Sequence, residues 1–191
     1  DKSEFSKYLE TINRQIIDIK KLVNEFSDFA RMPSPILKKI KIDEVLNRAT
    51  SFYKMSNEEL SFKFDKQNNS NFYVNGDSEQ LYRVFLNLIK NSIEAINEKK
   101  QKITNLQGKI TIEINTNNEY IVIEMLDNGI GFNDVVNITK PYFTTKKQGT
   151  GLGLPIVSKI INDHGGEINF LKNSEGAKIV IKLPIYQWNR K

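Results

Sequence analysis

Apolar residues recur at spacings of four and three over residues 1–31, and this is the clearest pattern in the sequence. The recurring positions are Phe5, Leu9, Ile12, Ile16, Ile19, Val23, Phe26 and Ala30. Such a heptad seam predicts one long helix, and Tyr8, Leu22 and Phe29 widen it into the stripe of a four-helix-bundle helix. The stripe needs partner helices to become buried. The prolines of the segment RMPSP end the helix, because proline cannot continue it.

A second unit, at about 36–185, alternates between helix and strand patterns. Helical spacing predicts helices at 43–54, 77–99 and 152–163. Alternation and short apolar runs predict strands near 60–64, 72–75, 109–116, 119–126, 166–172 and 177–183. Residues 127–150 form a long, glycine-rich and poorly periodic stretch. This order favours an α+β fold with a mostly antiparallel sheet and helices on one face.

Local signals refine the element boundaries of this unit. Asp43 is a candidate N-cap of its first helix. Asp77 and Gln80 have the spacing of a capping box at the start of its second helix. The polar turn KQNNSN joins the first two strands.

Composition excludes several classes of protein. Hydrophobic content of 39% and charged content of 27% over 191 residues are those of an ordinary soluble domain. No apolar run approaches the ~20 residues that cross a bilayer. The chain has no cysteine, which excludes disulfides and thiolate metal sites. The net charge is +5, from 28 basic and 23 acidic residues, and the lysine pairs are scattered. This argues against nucleic acid as the primary ligand but leaves a phosphate-bearing small molecule or an acidic protein open.

Two asparagines interrupt the apolar helix predicted at 77–99. Asn87 and Asn91 are four residues apart, so they share one helix face. Buried amides reduce stability unless they find partners, and one interpretation is a capping or interhelical amide. The other is an amide oxygen that binds a hard cation such as Mg²⁺, which keeps waters and phosphate oxygens as further ligands.

A carboxylate and two glycines follow the buried strand at 119–126. Asp127 begins the segment Asp-Asn-Gly-Ile-Gly, in which Gly129 and Gly131 are two residues apart. The carboxylate can accept a hydrogen bond from a ligand edge that lies across the glycine backbone. A plain Asp-Asn-Gly turn is the structural alternative.

A second glycine-rich segment lies where the last helix is predicted to begin. It consists of Gly149, Thr150, Gly151, Leu152 and Gly153. Helix N-termini attract anions through unpaired N–H groups and the helix dipole. The spacing is not that of a dinucleotide fingerprint, and no lysine follows the last glycine as in a Walker A loop. The segment therefore predicts a glycine-hinged lid, with Lys146 placed to reach a phosphate.

Taken in order, these segments resemble the ATP-binding domain of the GHKL superfamily, and most closely that of sensor histidine kinases. There NLxxNxxxA is the N box, DxGxG the G1 box, a Pro-Phe/Tyr-Phe-Thr-Thr-Lys segment the F box and GTGLGL the G2 box. This chain carries them at 87–91, 127–131, 141–146 and 149–154. The segment GAKIVIKLP also resembles the family's closing strand. The resemblance spans about 40–185 and implies a two-layer α/β sandwich.

The resemblance also implies roles for the site residues. Asn91 would hold Mg²⁺ with Asn87 beside it, and Asp127 would bind the amino group of adenine. Gly129 and Gly131 would let the base approach. Lys146 and the amides of the second glycine segment, which are those of Gly149, Thr150, Gly151, Leu152 and Gly153, would surround the phosphates of ATP.

The same resemblance orders the possible activities. Relatives that hydrolyse ATP carry a glutamate at the position of Asn87, so an asparagine there favours phosphoryl transfer to a protein. The long first helix disfavours a serine-directed anti-sigma kinase, which does not need it. A non-catalytic nucleotide-binding and dimerisation module is the main alternative, and the complete set of boxes argues against it.

The phosphoacceptor histidine of the family is absent. The one histidine, His164, lies at a helix C-terminus before a glycine turn. The resemblance, in the style of NtrY-like nitrogen-regulation kinases, implies that 1–35 is only the second helix of the dimerisation hairpin and 36–191 the catalytic domain. We expect a cytoplasmic fragment without membrane contact, from a homodimeric parent anchored in the bacterial inner membrane. A response regulator receiver domain would be its partner.

Overall fold

The computed structural model describes residues 2–67, 71–144 and 149–187. Its N-terminal part is one helix, α1 (Lys2–Ala30), which confirms the helix predicted from the heptad seam. The seam is uncovered in this single chain, with Ile12 exposed to 53% and Ile19 to 59%. Within the described ranges, none of the helices combines the length and hydropathy that crossing a bilayer requires.

Among the described residues, the second unit contains three helices and seven strands. The helices are α2 (Ile42–Lys54), α3 (Ser78–Lys100) and α4 (Gly153–Asp163). The strands are β1 (Lys38–Lys41), β2 (Ser61–Lys66), β3 (Tyr73–Gly76), β4 (Lys109–Thr116), β5 (Tyr120–Asp127), β6 (Glu167–Lys172) and β7 (Ala177–Pro184). The main sheet has the order β2-β4-β5-β7-β6, in which only β2 and β4 are parallel. The α+β prediction of a mostly antiparallel sheet is confirmed.

The core lies between this sheet and the three helices. Alternate residues of the central strands point into it, such as Ile112 of β4 and Ile123 of β5, and both are buried. From the helix layer, Phe85 and Leu88 of α3 and Val157 of α4 are fully buried in the same cluster. Because every second strand residue is apolar, one face of the sheet takes the helices, and the resulting structure is a two-layer sandwich.

Strand β1 was not predicted, and the two strands joined by the polar turn KQNNSN do not pair with each other. β2 runs parallel to β4 in the main sheet, whereas β3 pairs antiparallel with β1 in a separate two-stranded sheet. The segment of β1, KKIK, has one apolar residue and no readable alternation. Its extended conformation depends on pairing with a distant strand, which local sequence does not encode.

The N-cap predicted for α2 is wrong. Lys41 occupies the cap without a side-chain hydrogen bond, and Asp43 lies in the first turn, buried, with Lys66 Nζ 3.4 Å from its carboxylate. The Ile42 N–H donates to the carbonyl oxygen of Phe72 at 2.9 Å. Strand contact, rather than a side-chain cap, therefore determines where this helix begins.

The N-terminus of α3 is a junction of several elements. Asp77 caps the helix by accepting the N–H groups of Glu79 at 3.0 Å and Gln80 at 3.2 Å, as predicted. Its second oxygen accepts the Ile36 N–H at 3.0 Å, and the Asp77 N–H donates to Nε2 of His164 at 2.9 Å.

The capping box predicted for this helix is therefore only half formed. A Gln80 side chain that completed the box would accept the Asp77 N–H, which His164 takes instead. The Gln80 amide donates to the carbonyl oxygen of Pro33 at 3.0 Å. The Ile36–Asp77 and Pro33–Gln80 contacts both tie the segment after α1 to the start of α3.

Candidate functional site

The α3 helix carries both predicted asparagines on a half-buried face. The Asn87 amide nitrogen donates to the carbonyl oxygen of Arg83 at 3.0 Å, and this turns its oxygen away from the helix backbone. A Cβ added to Gly153 would lie 3.6 Å from that oxygen, so Asn87 faces the start of α4. Asn91 lies about one turn further along the same face. The structure thus brings the N box and the G2 box together.

A metal ion at this place would depend on amide oxygen. Within the described ranges, no group of three or more histidine, cysteine, aspartate and glutamate side chains could hold one. Mg²⁺ accepts few protein ligands and keeps waters and phosphate oxygens, so the half-buried amide of Asn91 fits such an ion. The ion would then be held jointly by the protein and by its anionic ligand.

Asp127 is the last residue of β5 and is only 6% exposed. Its Oδ1 accepts the N–H groups of Gly129 at 2.9 Å and Ala177 at 3.3 Å. Its Oδ2 accepts the hydroxyl of Ser92 on α3 at 2.8 Å. Burial raises the pKa of the Asp127 carboxyl above its usual range, although the three hydrogen bonds that it accepts oppose the rise. A buried, anchored carboxylate of this kind can recognise a hydrogen-bond donor of a ligand.

The glycines of the G1 turn are already required by packing. A Cβ on Gly129 would lie 2.7 Å from the backbone carbon of Ala95, and the Ile130 N–H donates to the Ala95 carbonyl oxygen at 3.3 Å. Gly131 has φ +73° and would meet the Gly176 carbonyl oxygen at 2.8 Å if it carried a Cβ. The turn therefore rests directly on the α3 backbone. That these glycines also admit a base stays a prediction.

Among the G2 glycines, Gly151 has φ +70° and packs against the backbone of Tyr142. A Cβ there would lie 2.5 Å from the backbone of Tyr142, whose N–H donates to the Gly151 carbonyl oxygen at 3.1 Å. Tyr142 itself has φ +66°, a conformation that is costly for a large side chain. Leu152 is fully buried, and α4 begins at Gly153 as the lid prediction requires.

Some predicted residues of this segment need separate mention. Gly149 and Thr150 precede the contact between Gly151 and Tyr142. The Thr150 hydroxyl oxygen lies 3.4 Å from the Leu152 nitrogen. Lys146, predicted to reach a phosphate, lies outside the described residues.

The predicted G1 and G2 segments both lie against helix α3. Asn87 faces the start of α4, Ser92 holds Asp127, and Ala95 supports the G1 turn. These contacts span eight residues, or about 12 Å at 1.5 Å per residue. A ligand that lies along this face would contact the G2 segment at one end and Asp127 at the other.

Two cavities flank the G1 turn rather than enclose the whole site. One of about 410 Å³ lies between the C-terminal end of α3, the G1 turn and the β6–β7 connection. The other, of about 220 Å³, includes Asp127 and the outer side of β4. Neither is lined by Asn87, Asn91 or residues 149–153. These two cavities therefore adjoin Asp127 and the G1 turn rather than the G2 segment.

Sequence reasoning missed Ser92, Ala95 and Gly176 as parts of the site. Ser92 could have been noticed, because it is a small polar residue within the otherwise apolar buried stripe of α3. Ala95 ends the N-box pattern NLxxNxxxA and Gly176 begins the segment GAKIVIKLP, but neither pattern says what the residue contacts. Their roles depend on a close approach of the G1 turn, and a Cβ on Gly176 would lie 2.2 Å from the Asp127 carbonyl oxygen.

Comparison with known proteins identifies the class to which this fold and site belong. Residues 76–187 match the family described as histidine kinase-, DNA gyrase B-, and HSP90-like ATPase, and the chain belongs to this family. The GHKL resemblance is confirmed, and with it the assignment as the ATP-binding catalytic domain of a histidine kinase.

Particular relatives place the chain more narrowly. It is 33% identical to nitrogen regulation protein NtrY of Azorhizobium caulinodans over 187 residues, which are 97% of this chain and 24% of that protein. It is 32% identical to a putative sensor histidine kinase NtrY-like of Rickettsia bellii, covering 94% of this chain and 29% of that protein. The solved catalytic domain of histidine kinase ThkA superposes with a TM-score of 0.67 at 27% identity, over 78% of this chain and 95% of that one. The chain thus spans under a third of the length of these two curated relatives.

Proposed function

We propose that this chain binds Mg·ATP and transfers the γ-phosphoryl group to a histidine of a dimerisation hairpin, for relay to a response regulator receiver domain. The supporting observation is the convergence on α3, where an anchored carboxylate and a helix N-terminus lie at the two ends of one face. Phosphoryl transfer requires mainly positioning and neutralisation of charge. Such a face provides both.

Each part of the site has a role in this proposal. Asp127 accepts the amino group of adenine, while Gly129 and Gly131 keep the turn flat beneath the base. Asn91 would hold Mg²⁺, which would supply positive charge to the phosphates. The N-terminus of α4 and the amides of the G2 glycines bind the anionic oxygens. Lys146 adds a positive charge.

Asn87 favours transfer over hydrolysis. Its amide nitrogen donates to the carbonyl oxygen of Arg83. The remaining amide oxygen cannot remove a proton from water at neutral pH. A site without a general base at this position leaves the phosphoryl group for a protein nucleophile. The nucleophile of the proposed reaction is a histidine, which attacks the γ-phosphorus while ADP leaves.

His164 is unsuited to be that nucleophile. It is 6% exposed, its Nε2 accepts the Asp77 N–H, and its Nδ1 lies 2.7 Å from the Ile160 carbonyl oxygen. Both ring nitrogens are thus occupied by backbone groups. Since it is the one histidine of the sequence, the acceptor is supplied by another polypeptide or segment.

The proposed organisation follows from α1. Residues 1–35 serve as a helix of the dimerisation hairpin and 36–191 as the catalytic domain. The uncovered seam supports homodimerisation, as its apolar residues are exposed in the single chain. In the parent protein we place this unit on the cytoplasmic side of the bacterial inner membrane.

Labelling in trans tests the proposal. The chain is incubated with γ-labelled ATP, Mg²⁺ and a separately expressed dimerisation hairpin that carries an acceptor histidine. We expect acid-labile label on the hairpin and none on this chain. If the chain binds Mg·ATP but the hairpin stays unlabelled, the alternative of a non-catalytic nucleotide-binding module replaces this proposal.

A matched pair of variants examines the metal role in the same assay. Asn91→Ala removes the proposed Mg²⁺ ligand, and we expect labelling to fall at least about tenfold and the Mg²⁺ requirement to shift to higher concentration. Asn97→Ala on the exposed side of α3 is the control, with unchanged labelling. Equal loss in both variants would show that α3 was disturbed and would contradict the metal assignment.

A further inference from the structure

Ser92 is a polar residue inside the buried stripe of α3, and no motif assigns it a role. It is 4% exposed, and its hydroxyl donates to Oδ2 of Asp127 at 2.8 Å. This is the one contact through which the helix layer holds the carboxylate by a side chain among the described hydrogen bonds. Ser92 therefore contacts the carboxylate of Asp127, the group proposed to bind the base.

The hydrogen bonds leave Asp127 with one open acceptor position. A carboxylate oxygen has about two acceptor sites. Oδ1 uses both on the N–H groups of Gly129 and Ala177, and Oδ2 uses one on Ser92. Ionised, the carboxyl is an acceptor only, so the remaining position of Oδ2 can receive a donor from a ligand but cannot donate to one.

We propose that Ser92 is a positioning residue that holds Asp127 as an acceptor and thereby makes the site prefer a purine with an amino group at position 6 over one with a carbonyl. The inference rests on the proposed function, because it concerns the base of the same nucleotide. An amino group donates to the open position of Oδ2. A carbonyl oxygen there meets another acceptor and leaves both groups unpaired, which is a strong basis for discrimination.

Loss of the Ser92 hydroxyl weakens this preference for a physical reason. Hydrogen bonds to the charged form favour it, so their removal favours protonation of a buried carboxyl. A protonated Oδ2 donates, and it can then pair with a carbonyl at position 6.

The charged groups around Asp127 remain the same when Ser92 is replaced. Lys99 of α3 lowers the pKa of Asp127 by its charge. The other charged side chains line the cavity that includes Asp127, and they are Lys63, Lys109, Glu113 and Glu175. The change in preference is therefore attributable to the hydroxyl.

The test compares ATP with inosine triphosphate, which has a carbonyl in place of the 6-amino group and the same phosphates. Affinities of both are measured between pH 6 and pH 8 for wild type and Ser92→Ala. We expect the preference for ATP to fall at least about tenfold in Ser92→Ala, most strongly at the lower pH. Ser158→Ala is the control, because the buried Ser158 hydroxyl on α4 has no hydrogen-bond partner in the part of the chain that the structure describes.

The size-matched variant Ser92→Cys keeps a weak donor, and an intermediate preference is expected. In Asp127→Asn, adding Ser92→Ala should change the preference no further, since the neutral amide cannot take up the proton through which loss of the hydroxyl acts. Equal weakening of both nucleotides in Ser92→Ala, with the preference kept, would overturn the proposal and make Ser92 merely structural.

Carbon-13 NMR titration of the Asp127 carboxyl without nucleotide separates this inference from the proposed function. The midpoint should move to higher pH in Ser92→Ala and stay in place in Ser158→Ala. An unmoved midpoint overturns the inference even if ATP binds. Absence of nucleotide binding by wild type overturns both proposals, whatever the midpoint does.

Discussion

At the scale of single residues, Asp127 combines a cost in stability with a proposed role in binding. Burial raises the pKa of its carboxyl, so the folded state disfavours the charged form. The unfolded value is about 3.9. The resulting penalty is absent below that pH, grows as the pH rises from that value to the higher folded pKa, and is complete above the folded pKa.

Asp127→Asn should therefore separate stability from affinity. The amide oxygen can accept from Gly129 and Ala177, and its nitrogen can donate to the oxygen of Ser92, so the contacts persist without the buried charge. We expect a thermal midpoint at pH 7 equal to or above that of wild type, whereas ATP affinity falls about 10- to 100-fold because a charge-assisted hydrogen bond is lost. Calorimetric unfolding and ATP titration measure the two quantities.

Asp134 is a control in which the pKa of the carboxyl is shifted in the opposite direction, downward. Hydrogen bonds from Asn137 lower the pKa of its carboxyl, so it stabilises the fold above pH ~4 and loses this effect as the pH falls through its lower folded pKa. Asp134→Asn should thus lower the midpoint slightly at pH 7. If Asp127→Asn lowers both the midpoint and the affinity at pH 7, the account of Asp127 is wrong.

The residues that motif order predicts are those whose chemistry shows in the chain itself. Asp127 and Asn87 are polar where an apolar pattern is expected, and both contact other parts of the predicted site. Gly176 could not be assigned, because its need for a hydrogen in place of a side chain arises from the Asp127 backbone, which lies 2.2 Å from its added Cβ and far away in sequence. Sequence shows residue type directly and close approach only indirectly.

At the scale of elements, the N-terminus of α3 connects the segment after α1 with both helices of the site. The Asp77 carboxylate caps α3 and accepts the Ile36 N–H. The Asp77 N–H in turn donates to Nε2 of His164 at the end of α4. The opposite end of α4, at Gly153, is the end that faces Asn87. The helices were predictable because their apolar periods are long. β1 was not, because a strand of 4 residues has little pattern of its own and forms through its partner.

Substitution of Asp77 should show two separable contributions to stability. Asp77→Ala removes the cap and the bond to Ile36, and we expect the free energy of unfolding to fall by about 1–2 kcal/mol in urea denaturation at pH 7. Asp77→Ser keeps a capping oxygen but has no second oxygen for Ile36, so a smaller loss is expected. An equal loss in the two variants would contradict a separate role for the Ile36 contact.

Acidification gives a further measurement on the same residue. Partial burial alone would raise the pKa of Asp77, but the N–H groups of Ile36, Gln80 and Glu79 outweigh it and lower the value. Its contribution is present above about pH 4 and lost as the pH falls through the lower folded pKa. The difference between wild type and Asp77→Ala should shrink over that range.

At the scale of the whole molecule, α1 differs from the second unit in leaving its apolar face exposed. Its seam side chains are exposed, whereas the second unit has a buried core of its own. An amphipathic helix with an uncovered apolar stripe gains stability by pairing with others, at about 1.5–3 kcal/mol per fully buried large side chain. The sequence predicts the stripe well, but the described residues of a single chain leave it uncovered.

Charge within the seam should therefore abolish self-association without affecting the nucleotide site. In sedimentation velocity over a range of concentrations, we expect wild type to associate, and Ile12→Glu with Ile16→Glu to weaken the association at least about 100-fold, because two buried contacts are replaced by charges. Ile17→Glu is the matched control, since Ile17 is exposed but lies outside the seam, and it should associate as wild type does. ATP affinity should stay the same in all of them, as the site is built from the second unit. A monomeric wild type at high concentration, or equal loss in Ile17→Glu, would show that the seam does not drive the association.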